Sequence, residues 1–581
     1  MKRPTAAMSP RNALGSAADA DGERRRSGRR GPRRAVLVRT SRDSRASRRG
    51  TARARVLAAL GVVTCLGAAV VAVRYFGTLP PPAEPFASLL DAPIPEDCDA
   101  NTAARIKAFC GDCHALPRPD SFPRYAWPES VRTGYEHYSR SGRTDLDPPS
   151  IRDTTAYYLA RAPEQMVFPN PPDAAQPPRV SFRVETFQAP ENSAVAPAVA
   201  HLNWMSLDQH ADPVLIVTDM RRGSVMAVPL RDRQSDPWTI KDQLRHPCHT
   251  EPCDLDADGL TDLLVADLGS FPPGDHLRGR VVWLRRQAAD GPYEAKVIAS
   301  GIGRVADARP ADFDNDGDED VIVAVFGMDL TGDILLLENN VDARGERRFD
   351  KKTIDPRPGA IHVPPLDLNG DGQMDFLALL SQEYEQVIAF VNQRSAGTTP
   401  TRFHRQLLWE ATDLTFGFSG MELVDLDADG DIDIVCTNGD AFDNGFVNPR
   451  HGIQWLENLG DLKFQPHRLA DMVGCYAASA GDIDGDGDLD LIVVAWMPGD
   501  AEPPNVHDTP RASIICLEQT SAGVFARHTL EKGLPIHATL ELADFDGDGD
   551  LDFVVGSHTL AQAGKQPYWL AVWWNEGPAK Q

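Results

Sequence analysis

The chain lacks most of the short motifs that mark soluble enzymes. No Gly-rich phosphate loop occurs, and no Ser-His-Asp nucleophile set or paired general acid and base stands out. P-loop nucleotide hydrolysis and serine-type acyl transfer therefore have no support. Positive charge is scarce beyond residue 55. Residues 1–55 hold 17 Lys/Arg against 4 Asp/Glu, a net of +13; the whole chain carries −25, so the remainder carries −38. Such a surface repels nucleic acid and anionic lipid headgroups. The Arg-, Ser- and Gly-rich tail has no hydrophobic period and reads as a disordered cytoplasmic segment.

Uncharged length is concentrated near the N-terminus. Val56 to Val73, between Arg55 and Arg74, contains 18 residues without charge. That is just enough to span a bilayer if its ends snorkel, and the arginines before it predict an inside N-terminus. A cleaved signal peptide with an overlong basic region is the alternative, but Cys65 follows Thr64 and makes an unconvincing lipoprotein cysteine. An uncleaved anchor over residues 56–76 is the favoured expectation. It implies a single-pass inner-membrane protein with its bulk in the periplasm or outside the cell.

Cys110-Gly-Asp-Cys113-His114 is the most specific motif. Two thiols on one helical turn followed by a histidine match the attachment site of a c-type haem, His114 being the proximal ligand. No second CxxC exists and no βαβ pattern surrounds this one, so a zinc site and a thioredoxin-like site are disfavoured. Residues 94–170 are the expected haem domain. Ala103–Phe109 reads as a helix running into the motif, and Ile151–Leu159 as a closing helix capped by Ser150. The order resembles a small class I cytochrome c, which implies a second axial ligand between the motif and the closing helix. No methionine lies between His114 and Met166. His137 is the favoured sixth ligand, with Met166 or an open site as alternatives.

Asp-rich nonapeptides begin at Asp254, Asp312, Asp367, Asp425, Asp482 and Asp544, spaced by 58, 55, 58, 57 and 62 residues. That periodicity marks a repeat architecture. Oxygen-bearing side chains occupy positions 1, 3, 5 and 9 throughout. They are Asp254, Asp256, Asp258 and Asp262; Asp312, Asp314, Asp316 and Asp320; Asp367, Asn369, Asp371 and Asp375. The last three loops supply Asp425, Asp427, Asp429 and Asp433; Asp482, Asp484, Asp486 and Asp490; Asp544, Asp546, Asp548 and Asp552. Position 6 is always glycine, permitting the sharp turn that lets alternate side chains converge on Ca²⁺. About six calcium ions are expected, the Asn369 loop binding most weakly. Position 12 is never glutamate and falls in apolar strand runs such as Leu491–Ala495, which excludes an EF-hand.

Each loop is followed by second and third strands, such as Ile453–Asn458 and Phe464–Arg468, giving four strands per unit. Residues 180–581 resemble FG-GAP/VCBS repeat propellers of the integrin α-subunit type. A degenerate unit around His201–Asn203 and Pro213–Val217 raises six units to seven. Ser181–Phe187 is expected to supply the missing outer strand of the last blade and close the ring. The predicted fold is thus a small all-α cytochrome c domain followed by an all-β seven-bladed propeller. Proline-rich linkers at 77–93 and 171–179 are expected to hold the modules apart. Cys248 and Cys253 are read either as a disulfide or as buried thiols, and Cys436, Cys475 and Cys516 as packing residues.

Five residues before the first Asp of the first three loops stand His249, Asp307 and His362. Equal offsets on successive innermost strands would aim them at one point, for a transition metal, proton transfer or ordinary hydrogen bonding. The corresponding residues of the later loops are Gly420, Ala477 and Thr539. The leading functional expectation is an electron-transfer cytochrome whose propeller holds a redox partner protein or a surface ligand. A haem-coupled propeller oxidoreductase and a surface-binding or adhesion protein are the alternatives, since fold cannot choose between them.

Overall fold

The computed structural model describes residues 94–581, apart from 191–194, 209–211, 233, 290, 329–330, 383, 394–401, 443, 561–567 and 579–581. The basic tail, the uncharged segment and the first linker lie outside the described residues. Among the described residues no helix is long and apolar enough to cross a membrane.

Three α-helices build the N-terminal module: α1 (Ala100–Cys110), α2 (Trp127–Ser141) and α3 (Ile151–Arg161). Asp99 caps α1 by accepting from the N–H groups of Asn101 and Thr102, and Ser150 caps α3 by accepting from Asp153 N–H. These caps satisfy amide donors that a helix start otherwise leaves unpaired. Ile106, Trp127, Val131, Tyr135, Ile151 and Tyr158 form the core, with Trp127 stacked on Tyr158 at a centroid distance of 3.9 Å. The sequence pattern located α1 and α3. It treated the segment carrying His137 only as an interval, whereas it is the longest helix of the module.

The remainder forms seven sheets, each a four-stranded antiparallel blade apart from one in which the first strand is divided. The innermost strands are Val199–Met205, Pro247–Cys253, Val305–Ala311, Ala360–His362 with Pro365–Leu366, Phe418–Val424, Cys475–Gly481 and His537–Ala543, defining blades I to VII. Successive innermost strands touch in order, and VII returns to I, so they surround a central channel. The break in blade IV falls at Pro364-Pro365, where two residues lack the N–H a continuous ladder needs.

The second strands, such as Asp320–Val325 and Asp490–Ala495, are buried at every position. Neighbouring blades cover both of their faces, which explains continuous apolar runs in place of alternation. Each fully buried Val or Leu contributes about 1.5–3 kcal/mol of transfer free energy. Val180–Phe187 pairs antiparallel with Leu570–Pro578, Arg183 opposite Trp574. This outer strand closes blade VII as the sequence led us to expect.

The helical module packs directly on loops of blades IV to VI. Ser121 Oγ donates to Asp413 at 3.0 Å, and Arg450 Nη2 reaches both Asp413 and Ser121 Oγ, the latter at 2.7 Å. Phe122 packs edge-on against Phe446, and Tyr125 Oη donates to Glu502 at 2.5 Å. The 171–179 segment is no spacer: Ala174 N–H donates to Arg527 O at 2.8 Å, and Asp173 accepts from Arg527 and Thr529. This overturns the expectation of separated modules, because the prolines run along the outer strand of blade VI and prolong the interface. The Cys248–Cys253 disulfide is excluded as well. Both residues lie on one extended strand (Pro247–Cys253), about 16 Å apart at ~3.3 Å per residue, beyond the reach of a disulfide. They are separate thiols, and Cys436, Cys475 and Cys516 are buried packing residues.

Candidate functional sites

The six acidic loops join the first and second strands of blades II to VII, so all lie on one face of the ring. Glycine at position 6 has φ between +80° and +100° in every copy, the left-handed conformation that side chains resist. Position 1 closes each turn on itself. Asp425, for instance, accepts from Asp429 N–H and Gly430 N–H, each at 3.0 Å. Position 9 does two jobs. Asp490 accepts from Ile483 N–H at 3.1 Å and from Gln519 N–H at 2.8 Å, fixing the loop to the blade's third strand. Asp433 and Asp552 repeat this with Asn458 and Asn575.

The convergence is close enough for a cation. One oxygen each from Asp254, Asp256 and Asp262 lies within 4.8 Å of the others, and so do those of Asp312, Asp314 and Asp316, of Asp425, Asp427 and Asp433, and of Asp482, Asp484 and Asp486. Oδ1 atoms of Asp256, Asp427 and Asp482 are buried without a hydrogen-bond partner. Burial, with neighbouring loop carboxylates adding, pushes Asp262 up to about 6, Asp490 up to about 7 and Asp552 up to about 7. These are oxygen-only donor sets rich in negative charge, the chemistry that suits Ca²⁺. Arginines partly balance that charge: Arg285 pairs with Asp256, and Arg179 with Asp484 and Asp486.

One element of these loops escaped the sequence reading. The side chains of Asn339, Asn392, Gln519 and Asn575 donate to a carbonyl of the preceding blade's loop, at Leu255, Phe313, Leu426 and Ile483. The recurring Asn or Gln ending the third strand, as in Leu-Glu-Asn339 and Trp-Trp-Asn575, was the available signal.

The CxxCH turn follows the end of α1. Cys110 packs against the module core, where burial lifts its thiol to about 11, and Cys113 is exposed. A thiol so protonated is a poor redox nucleophile, which agrees with the rejection of a thioredoxin-like site. His114 Nδ1 lies 2.8 Å from Ala115 O. A carbonyl only accepts, so Nδ1 is the donor, and in the neutral ring this leaves the Nε2 lone pair for a metal. Arg143 bridges Cys113 Sγ at 2.9 Å and Asp112 at 2.7 Å, and it also lines a cavity of about 400 Å³. Tyr135, Tyr138, Ser139, Pro149 and Ile151 form other walls of this cavity. Its volume falls in the range of small-molecule and cofactor pockets.

His137 and Met166 fare differently from the motif. On α2 and its C-terminal cap, residues 135, 138, 139 and 142 line the cavity. His137 is turned roughly 150° from their mean direction at 100° per residue, so it is on the opposite side of the helix. Met166 is buried with Phe168, Val447, Val473 and Val506 at the propeller interface, in a cluster containing none of the CxxCH residues. His137 thus lies away from the cavity by helical phase, and Met166 is packed at the propeller interface.

In the channel, His249, Asp307 and His362 do converge. His249 Nε2 is 3.4 Å from Asp307 Oδ1, and His362 Nδ1 is 3.8 Å from Asp307 Oδ2. Each stands just beyond a bulge near the start of its innermost strand. Blade I places His201 at the same point, its ring 3.8 Å from that of His249. His201 was missed because blade I has no acidic loop to count back from; the strand start was the usable landmark. Two residues further along lie Glu251 and Arg309, with Glu422 and Glu541 across the ring. Arg309 pairs with both Asp307 and Glu251. Burial opposes ionisation of Asp307, but Arg309 and His249 hold its carboxyl well below the usual range. Burial pushes Glu422 up to about 7, and burial with Glu422 and Glu251 nearby does the same for Glu541.

The FG-GAP-like repeat family matches residues 254–323, 312–378 and 425–493, each running from one acidic loop through the next and into the second strand that follows it. The chain thus carries FG-GAP repeats within a seven-bladed propeller. No protein of curated function matches it. Among solved structures, the biofilm matrix protein Bap1 of V. cholerae is similar at 11% identity and a TM-score of 0.35, over 69% of this chain and 92% of that one.

Proposed function

We propose that the chain is an exported electron-transfer protein, in which the helical module carries one covalent c-type haem and the calcium-clamped propeller binds a redox partner protein or surface ligand. The observation that carries this reading is the state of His114, whose Nδ1 is committed to a backbone carbonyl beside two free thiols and an adjoining cavity. Bound there, a haem would supply reversible one-electron chemistry. Cys110 and Cys113 would hold it covalently, and His114 Nε2 would be its protein ligand. Arg143 fixes the turn through Asp112, and the Tyr135 hydroxyl is tied to Pro149 O at 2.8 Å, so that cavity wall is rigid. Neither His137 nor Met166 is part of the ligand set we propose.

The acidic loops are proposed to hold about six Ca²⁺, through positions 1, 3 and 5 and the second lone pairs of position 9. Export through the uncharged N-terminal segment is consistent with both cofactors. The convergent channel cluster favours one alternative, a propeller oxidoreductase passing electrons to the module, over a purely adhesive role. The test is expression of the full chain with a c-type haem ligation system. The intact protein should gain the mass of one haem that survives denaturation, and a Cys110→Ser, Cys113→Ser double variant should gain none. A colourless wild-type protein of unmodified mass overturns the proposal.

A further inference from the structure

The channel cluster has a composition that neither the acidic loops nor the helical module uses. Going around the ring at the bulge position, blades I to IV contribute His201, His249, Asp307 and His362, whereas blades V to VII contribute Gly420, Ala477 and Thr539. Nitrogen and carboxylate donors thus fill one half of the layer, and small side chains the other.

We propose that His201, His249 and Glu251 bind one divalent first-row transition metal ion inside the channel. One ligand atom from each lies within 4.8 Å of the other two. Metal–ligand bonds of about 2.0–2.2 Å put the ligand atoms of a tetrahedral site roughly 3.4 Å apart, so His249 Nε2 and Glu251 Oε1, hydrogen-bonded at 2.5 Å, would separate by about 1 Å to admit the ion. A second observation is independent of that spacing: His201 Nδ1 is buried without a hydrogen-bond partner. Leaving such an atom unsatisfied costs about 1–3 kcal/mol, which a hydrogen-bond network alone would have avoided.

The surroundings suit a metal site. Asp307 lies against both His249 and His362 and accepts from Val363 N–H at 3.0 Å, an amide freed by the Pro364-Pro365 break. Arg309 fixes the carboxylates of Asp307 and Glu251 from the side. Such outer partners orient ligating imidazoles and carboxylates. Two imidazoles and one carboxylate suit zinc, iron(II) or copper(II) and differ from the oxygen-only sets of the acidic loops. Three protein ligands leave coordination positions open for water or a small oxygen ligand.

The test uses the full chain, loaded with calcium and then equilibrated with zinc by dialysis. One zinc per chain should be retained, with X-ray absorption showing imidazole and oxygen neighbours and no sulfur. Glu251→Gln, which preserves shape, and His249→Ala should each weaken retention at least about 10-fold. His467→Ala, in a surface His–Glu pair on blade V, should not. Thermal unfolding with calcium present identifies any variant that has lost its fold, and the isosteric Glu251→Gln then decides. A wild-type chain that holds no zinc, sulfur in the metal's first shell, or undiminished retention in folded Glu251→Gln overturns the proposal.

Discussion

The two faces of the propeller are built on different principles. On one, six nonapeptides repeat the same turn, the same left-handed glycine and the same inward carboxylates, their recurring contacts closing within nine residues or reaching a strand of the same or the following blade. On the other, the loops of blades IV to VI share no pattern, and their principal contacts join residues as far apart as Ser121 and Asp413. The first face is a repeated local device with unbalanced negative charge. The second is a single assembly of paired charges and aromatic contacts that positions one module. Chelators should act on the former and point substitutions on the latter.

The largest effect is expected from removing the calcium we propose for the loops. A ligand present at a hundredfold excess over Kd stabilises by about 2.7 kcal/mol per site. With several sites emptied, excess EGTA should lower the thermal midpoint by on the order of 10 °C or more, restored by calcium and read by circular dichroism. An unchanged midpoint would show that the arginines alone balance the loop carboxylates. The comparison sharpens at Asp413, buried between Ser121 and Arg450. Asp413→Ala should cost about 1–3 kcal/mol in urea unfolding and speed amide exchange in residues 119–126 without altering the response to EGTA. Loss of the EGTA response in that variant would mean that the two faces are coupled.

The smallest effect concerns the channel between them. Glu422 and Glu541 are raised from the ordinary 4.5 to about 7, so between those values the folded state holds more protons than the unfolded one. Their contribution to stability is full below 4.5 and declines as pH rises towards 7. Glu422→Gln should therefore raise the urea midpoint at pH 8 and leave it unchanged near pH 4. An equal effect at both values would trace the change to packing and not to ionisation.

Legibility followed the range of the interaction. The acidic loops, the seven-blade count and the closing strand Val180–Phe187 could be read because turn chemistry and strand period are local and recur. The convergence of His249, Asp307 and His362 could be inferred because a repeat converts equal offsets into equal positions. His201 could not be reached by that offset, since its blade lacks the loop from which to count. His137 was chosen by its position within an interval, which says nothing about helical phase. The 171–179 segment was misread as a spacer, and the packing of Met166 went unseen, because composition does not reveal an interface partner more than 300 residues away.

By itself the sequence determined which residues turn sharply, which runs are covered on both faces, and where two thiols and a histidine share one turn. These depend on backbone sterics, on periodicity and on chemistry within a few neighbours. Only the folded ring decided which side chains meet across the channel, and only the docked module decided which methionine is buried away from the CxxCH turn. Both outcomes depend on closing long loops and matching surfaces, and the free energy of those steps is spread over residues that no short window contains.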